Sequence, residues 1–475
     1  MLFNSIPYLI FLPTVFIIYW MILGKSLRLQ NLFLLLASYI FYAWWDYRFL
    51  LLILLSSVID YFCGIFLSKS KMAQTRKWWL GLSLVTNLGL LGFFKYFNFF
   101  IESWSAAWSN MGVNMEVSTL NIILPVGISF YTFQTLSYTI DVYKGRIKPS
   151  HNFLDFALYV SFFPQLVAGP IERAQKLLPQ FLRRRKFNIE QAKSGIYLVV
   201  WGLFKKMVIA DSCAIYVNSI FENYQSLDSL TLFLGAVFFS FQIYCDFSGY
   251  SDIAIGTARL FGINLMQNFN YPYFSRNVGE FWRRWHISLS TWFRDYVYIP
   301  LGGSQGSKWL TIRNVFIIFL VSGFWHGANW TFLMWGGLHA LLFIPLLLMK
   351  RNRLYLDTST LHKLFPRFKE SIQIVLTFLL ITFFWIFFRA ETITVAFDYI
   401  NRLFNVTNWS NLIPEKSAIQ LVFLLFFFVV LEWFNMLNEH PINGKFRILK
   451  VSALIILILI LGNYSDKQEF IYFQF

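Results

Sequence analysis

Charge is scarce in this sequence, and acidic charge scarcest. Asp, Glu, Lys and Arg make up 13% of 475 residues, 24 acidic against 40 basic. So few charges cannot coat a soluble globule when 57% of the residues are hydrophobic and the mean hydropathy is +0.54. A lipid-facing surface resolves the imbalance, and the chain reads as an all-α polytopic membrane protein with membrane lipids around it. Cysteine is scarce as well. Cys63, Cys213 and Cys245 fall in or beside apolar segments without metal-ligand spacing, which argues against a disulfide frame or a zinc site. No HExxH, Walker loop or dinucleotide fingerprint occurs. A net charge of +16 raises the question of nucleic acid. Basic residues confined to short loops between apolar runs are explained by membrane topology instead, and no nucleic-acid partner is expected.

Aromatic residues are abundant: 21% of the chain, including 56 Phe and 18 Trp, enough for interfacial belts and for lining internal cavities. At roughly 20 apolar residues per crossing, spans fall near 6–24, 31–45, 48–68, 78–104, 120–140, 195–215, 230–258, 313–333, 335–350, 371–390, 417–436 and 450–463. That is about twelve transmembrane helices. Two further aromatic stretches, 153–170 and 265–300, are too broken by Pro, Gly, Arg and Asp to cross freely in lipid and read as re-entrant or interfacial segments. The first run, from Ile6 to Leu23, has no basic region before it and no small-residue cleavage signal after it, so it is expected to be a retained span. No repeat, low-complexity tract or soluble appendage stands out, and residues 1–475 read as a single membrane domain with a motif-rich core at about 120–345.

Three clusters place polarity where it is expensive. The first is Ser322-Gly323-Phe324-Trp325-His326-Gly327-Ala328-Asn329-Trp330. Counting from Arg313 at 1.5 Å per residue, His326 lies roughly 20 Å from the inside end of its span. Asn329 and Trp330 follow at i+3 and i+4, so imidazole, amide and indole are expected on one helical face, with a groove left by Gly323 and Gly327. This local pattern fits a packed histidine at a small-residue helix contact as well as a functional one. The second cluster runs from Phe281 through Trp282-Arg283-Arg284-Trp285-His286 to Asp295 and Gly303. Trp285, Leu289 and Trp292 can form an apolar stripe while Arg283 and Arg284 meet an anionic group from the cytosol. An interfacial helix with lipid-facing arginines fits too. The third, Tyr244 to Asp252, holds Asp246 and Asp252; pairing with Arg or Lys of the second cluster is a simpler role for them than catalysis. His151, His362 and His440 sit in loops as solvated residues, and His339 reads as packed.

Taken together, the histidine clusters resemble the membrane-bound O-acyltransferase family. The likeness is to its bacterial branch of alginate O-acetyltransferases and the D-alanyl transfer protein of teichoic acid synthesis. Leu124 to Gln134, Phe163 to Ile171 and Asp246 to Asp252 carry it further along the chain. The resemblance implies a ring of spans around a central funnel, with His326 at its base and His286 on the intracellular side of the channel. It makes His326 and His286 the catalytic candidates. Arg283, Arg284, Trp285, Asn329, Trp330, Asp295 and Asp246 are the supporting ones, and no metal is expected. No bound cofactor is expected either; the acyl donor is a thioester, acetyl-CoA or an acyl carrier protein. With no esterase-like domain recognisable, an extracytoplasmic acyltransferase-like partner and polysaccharide assembly proteins are expected beside it, in the bacterial inner membrane. Acyl transfer needs a base for the acceptor hydroxyl and donors for the developing oxyanion. An uncharged His326 fills the first role, and Asn329, Trp285 or a backbone N–H the second. A transporter or flippase, and a scaffold for polysaccharide export, are the rival readings; the first would have a continuous two-sided path and stay active without an acyl donor, and the second would survive loss of His326.

Basic residues set the orientation. With the N-terminus outside, 31 of the 40 fall in the inside segments 25–30, 69–77, 141–152, 171–194, 259–312, 350–370 and 437–450. Only Arg48, Arg389, Arg402, Lys416 and Lys467 fall outside, while Lys95, Lys205, Lys206 and Arg313 lie in or beside spans. The Lys205–Lys206 pair suggests a misplaced boundary there. Loops 69–77, 171–194 and 350–370 are therefore expected to face the cytosol. Single cysteines placed in them should resist impermeant thiol reagents in intact cells; ready labelling at 69–77 would overturn the orientation.

Overall fold

The computed structural model describes residues 1–114, 119–167, 169–356, 366–405, 416–442, 444–464 and 470–471. Ala168, His362 and Lys467 lie outside the described residues. Among those described, every regular element is helical. The chain forms two compact units, Met1–Ile196 with Ala254–Met266, and Tyr197–Ile253 with Gln267–Phe475.

The first unit contains α1 (Ile6–Ile22), α2 (Leu27–Ala43), α3 (Leu50–Lys69), α4 (Ala73–Asn110) and α5 (Ile128–Tyr143). The hydroxyls of Ser5 and Ser26 start α1 and α2 by accepting the Tyr8 and Leu29 N–H groups. α5, expected to cross at 120–140, has nearly every side chain buried, so protein rather than lipid surrounds it. Asp60 of α3 ties three helices together. Its carboxylate accepts from Ser83 at 2.5 Å and Asn87 at 2.8 Å on α4, and from Thr139 at 3.3 Å on α5. Arg76 donates to the Tyr143 carbonyl at 2.5 Å and Gln175 to Asp141 at 3.2 Å, which gathers three of the basic segments. The broken stretch at 153–170 forms two short buried helices, Phe153–Ser161 and Phe163–Leu166.

The second unit takes α6 (Ser229–Leu260) as far as Ile253, followed by α7 (Val278–Arg284) and α8 (Ile287–Phe293). After them come α9 (Lys308–His326), α10 (Trp330–Leu348), α11 (Phe368–Arg389) and α12 (Lys416–Phe434). The stretch at 265–300 forms short helices, as its composition suggested. α9 does not continue to residue 333. It stops at His326, and α10 restarts at Trp330, making a tight hairpin. The two backbones touch: a Cβ on Gly323 would collide with the Phe332 carbonyl, and one on Gly336 with the Phe319 carbonyl. The groove expected at Gly327 is filled by the Phe332 ring.

Six helices among the described residues are long and apolar enough to cross a membrane: α4, α6, α9, α10, α11 and Tyr47–Lys69, which includes α3. α1, α2 and most of α12 are shorter apolar helices. The span expected at 195–215 is instead Ile189–Leu203, a wide helical turn at Phe204–Ala210, and Asp211–Glu222. Lys205 and Lys206 are buried in that turn. The Lys206 ammonium lies 2.8 Å from both Asp211 and Asp246, and Lys205 lies 2.7 Å from Asp252. Asp246 and Asp252 thus pair with these lysines, not with the second cluster's arginines. Lys206→Met would strand two buried carboxylates, at a cost of about 3–5 kcal/mol. We expect a clear drop in the thermal midpoint of the detergent-solubilised protein; an unchanged midpoint would show that the cluster is not needed for stability.

Candidate active site

Val315, Ile318, Phe319, Ser322 and His326 recur at three- and four-residue intervals along α9 and form one stripe. That stripe, with Leu289 and Phe293 of α8 and Phe343 and Leu347 of α10, lines a cavity of about 470 Å³. From Val315 to His326 it extends roughly 16 Å along the helix. At one end the Arg283 guanidinium donates to the carbonyls of Asn352 at 2.5 Å and Tyr355 at 3.0 Å, just past the end of α10. Arg294 and Arg353 line the same cavity. At the other end, at the hairpin tip, stands His326.

His326 is the last residue of α9 and is 2% exposed. Rings of Trp325, Trp335 and Phe388 enclose its imidazole at centroid distances of 5.0, 5.2 and 5.3 Å. His286 separates α7 from α8 in a left-handed conformation, φ 43° and ψ 55°, which is costly for a side chain of this size. Its Nδ1 lies 3.0 Å from Asn268 Oδ1, and its ring meets Phe247 edge-on at 4.6 Å. Burial pushes the His286 pKa down to about 3, so the ring is neutral near pH 7. Both histidines line the one cavity.

Several of the other expected site residues lie elsewhere. Arg284 does not line the cavity: it is buried, with its guanidinium on Glu280 at 2.8 Å and the Asn270 carbonyl at 3.3 Å. Trp285 is fully buried behind the site among Phe269, Phe281 and Trp385. Asn329 does not share a helical face with His326, because α9 has already ended. Its Oδ1 caps α10 by accepting the Thr331 N–H at 3.0 Å, and its amide donates to the Glu391 carbonyl at 2.9 Å. Trp330, first residue of α10, is 56% exposed. Asp295 accepts from Arg294 at 2.8 Å, and Asp246 belongs to the lysine cluster. His339 is packed against Trp282, whose indole N–H donates to its Nδ1 at 3.3 Å. His440, expected in solvent, is buried against Tyr197, whereas His151 is exposed.

Ser322, which opens the first cluster but was given no role there, stands at the cavity one turn before His326, as does Arg353, which was not singled out beforehand. Asn268, which holds His286, was also missed. It lies 18 residues before its partner, and no helical or strand spacing connects them.

The membrane-bound O-acyltransferase family matches residues 39–390, and the chain belongs to that family. It is accordingly an O-acyltransferase and a multi-pass membrane protein. It is 39% identical over 452 residues to the probable alginate O-acetylase of Pseudomonas aeruginosa, covering 94% of this chain and 84% of the relative. It is 36% identical to the peptidoglycan O-acetyltransferase of Helicobacter pylori, covering 88% of this chain and 82% of the relative. To the teichoic acid D-alanyltransferase of Bacillus subtilis it is 30% identical, over 56% of this chain and 69% of the relative.

Proposed function

We propose that the chain moves an acetyl group from a cytosolic thioester to a hydroxyl of an extracytoplasmic polysaccharide or of a partner protein, with His326 as the base. One observation carries this reading: a single cavity has arginines at one end and His326 at the other, with His286 on its wall. The acidic groups of acetyl-CoA or of a carrier's arm suit Arg283, Arg294 and Arg353, and the uncharged thioester arm suits the apolar stripe between. A base at the far end takes the proton of the acceptor hydroxyl as its oxygen attacks the thioester carbonyl; the C–S bond then breaks, and the donor's sulfur leaves as the thiol with the proton returned from the imidazolium. The Ser322 hydroxyl, on the same stripe, is a donor for the developing oxyanion and takes the part expected of Asn329 or Trp285. Three rings around His326 leave little room beside it, which favours an acetyl group over a long acyl chain.

For the acceptor, relatives named for alginate and for peptidoglycan O-acetylation support a cell-surface glycan. In this reading the protein sits in the bacterial inner membrane with its N-terminus outside. The donor approaches from the cytosol, and an extracytoplasmic partner receives or relays the acetyl group.

Two arginine variants should differ. Arg283→Ala is expected to raise the KM for the acyl donor more than it lowers kcat, because a contact made equally in ground and transition states is lost. Arg284→Ala breaks a buried pair with Glu280 and should instead reduce the yield of folded protein. A collapsed kcat at unchanged KM would give Arg283 a direct part in the reaction.

His326→Ala should slow transfer by on the order of 10²–10⁴-fold while the protein still reaches the membrane. The measurement is the base-labile acetyl content of the secreted glycan, beside an immunoblot of the membrane fraction. Near-normal acetylation by well-expressed His326→Ala would remove the base from this site and favour a transport or scaffold role.

A further inference from the structure

Asn268, in the segment before α7, holds the turn of His286, Ile287 and Ser288 through four contacts. The Asn268 carbonyl accepts the Ile287 N–H at 2.8 Å, and its side-chain Oδ1 accepts the Ser288 N–H at 3.3 Å and the Ser288 hydroxyl at 2.9 Å. The same Oδ1 lies 3.0 Å from His286 Nδ1. Asn268 Nδ2 donates to Ser251 Oγ at 3.0 Å, and Asn268 itself is fully buried.

The contacts determine which way the amide faces. A backbone N–H can only donate, so the amide atom facing Ser288 N–H is the oxygen; a flipped amide would set NH₂ against N–H. An amide oxygen can only accept, so the His286 nitrogen facing it carries the proton. We propose that Asn268 is a positioning residue that holds His286 in the Nδ1–H tautomer, so that Nε2 serves the cavity as a hydrogen-bond acceptor for a neutral donor of the thioester arm, an amide N–H. The left-handed backbone at His286 is a strained turn held by the same segment, as expected where geometry is fixed for use.

The inference rests on the cavity being the thioester path. It assigns the subsites different tasks: anionic groups go to the arginines, and a neutral N–H goes to His286. The charged and titratable groups around His286 suit a neutral ring. His286 shares its cavity with His326, Arg283, Arg294, Tyr298 and Arg353. On α6, Asp246 beside Phe247 is paired with Lys206, and Asp252 beside Ser251 with Lys205. Burial then keeps the imidazole uncharged across the range from about pH 5 to 8.

Asn268→Asp tests the role through pH. The carboxylate still accepts Nδ1–H but stabilises the imidazolium, raising the His286 pKa. Below that raised pKa, Nε2 carries a proton and cannot accept, so kcat/KM for the donor should fall as pH drops through it, a limb absent from the wild type. Asn268→Ala should lose about 10- to 100-fold at every pH without a new limb. In a His286→Ala background, Asn268→Asp should add no limb. A variant that only misfolds would scale the profile without changing its shape, and a wild-type-shaped Asn268→Asp profile overturns the proposal. The tautomer can also be read without activity, from ¹⁵N-histidine spectra of the wild type in nanodiscs, with His286→Ala used for assignment. Near pH 7, Nδ1 protonated and Nε2 unprotonated is expected. The reverse tautomer overturns the positioning role, whereas absent acyl transfer by a wild type that shows the expected tautomer counts against the proposed function alone.

Discussion

A polar group carried into apolar surroundings must find its partner inside the protein, and here that requirement fixes where the helices meet. A buried ionic group that loses its partner costs about 3–5 kcal/mol, and an aromatic pair contributes only about 0.5–1.5 kcal/mol beyond its buried area. In the first unit the donors around Asp60 set the register of α3, α4 and α5. In the second, Lys206 binds Asp211 and Asp246, while the Tyr244 hydroxyl donates to Glu432 at 2.8 Å and links α6 to α12. The many rings then fill the space these contacts define.

The hairpin of α9 and α10 follows the same logic with a different device. Gly323 and Gly336 let the backbones approach within a distance that any side chain would prevent. With the two helices this close, the stripe of α9 from Val315 to His326 lines the cavity together with Phe343 and Leu347 of α10. Because the helix stops at His326, the imidazole stands at a tip where Trp325, Trp335 and Phe388 can surround it. The small-residue helix contact and the enclosed histidine are therefore two consequences of one arrangement, although the local pattern had presented them as alternatives.

Long apolar runs and the two histidine motifs were legible in the sequence because composition and local order encode them. α4, α6, α10 and α11 lie close to their expected ranges. Features decided by tertiary contacts were not. Helical periodicity carried α9 through Asn329, but the Asn329 amide serves better as the cap of α10, and the two intervening small residues allow the break. Arg283 and Arg284 are neighbours of identical type, and only the fold sends one to the cavity and the other to Glu280. Lys205 and Lys206 looked like a membrane edge because their carboxylate partners are up to 47 residues away in sequence, at Asp252. Asn268 was invisible for the same reason, since a contact across a break between two helices leaves no period to detect.

The cavity also orders its chemistry by dielectric. Arginine stays charged wherever it sits, and its charge is cheapest near water; Arg353 is exposed and Arg283 half-buried, at the end beyond α10. Burial holds the His286 ring uncharged, and His326 is almost wholly enclosed as well. Exchanging the two would be costly in both places: an arginine at the hairpin tip would need a buried counter-ion, and an imidazole in water would be only a partly charged anion ligand near neutral pH. The order of arginines, apolar stripe and enclosed imidazoles is thus the one the medium favours. It also suits the donor proposed above, anionic at one end and an uncharged thioester at the other.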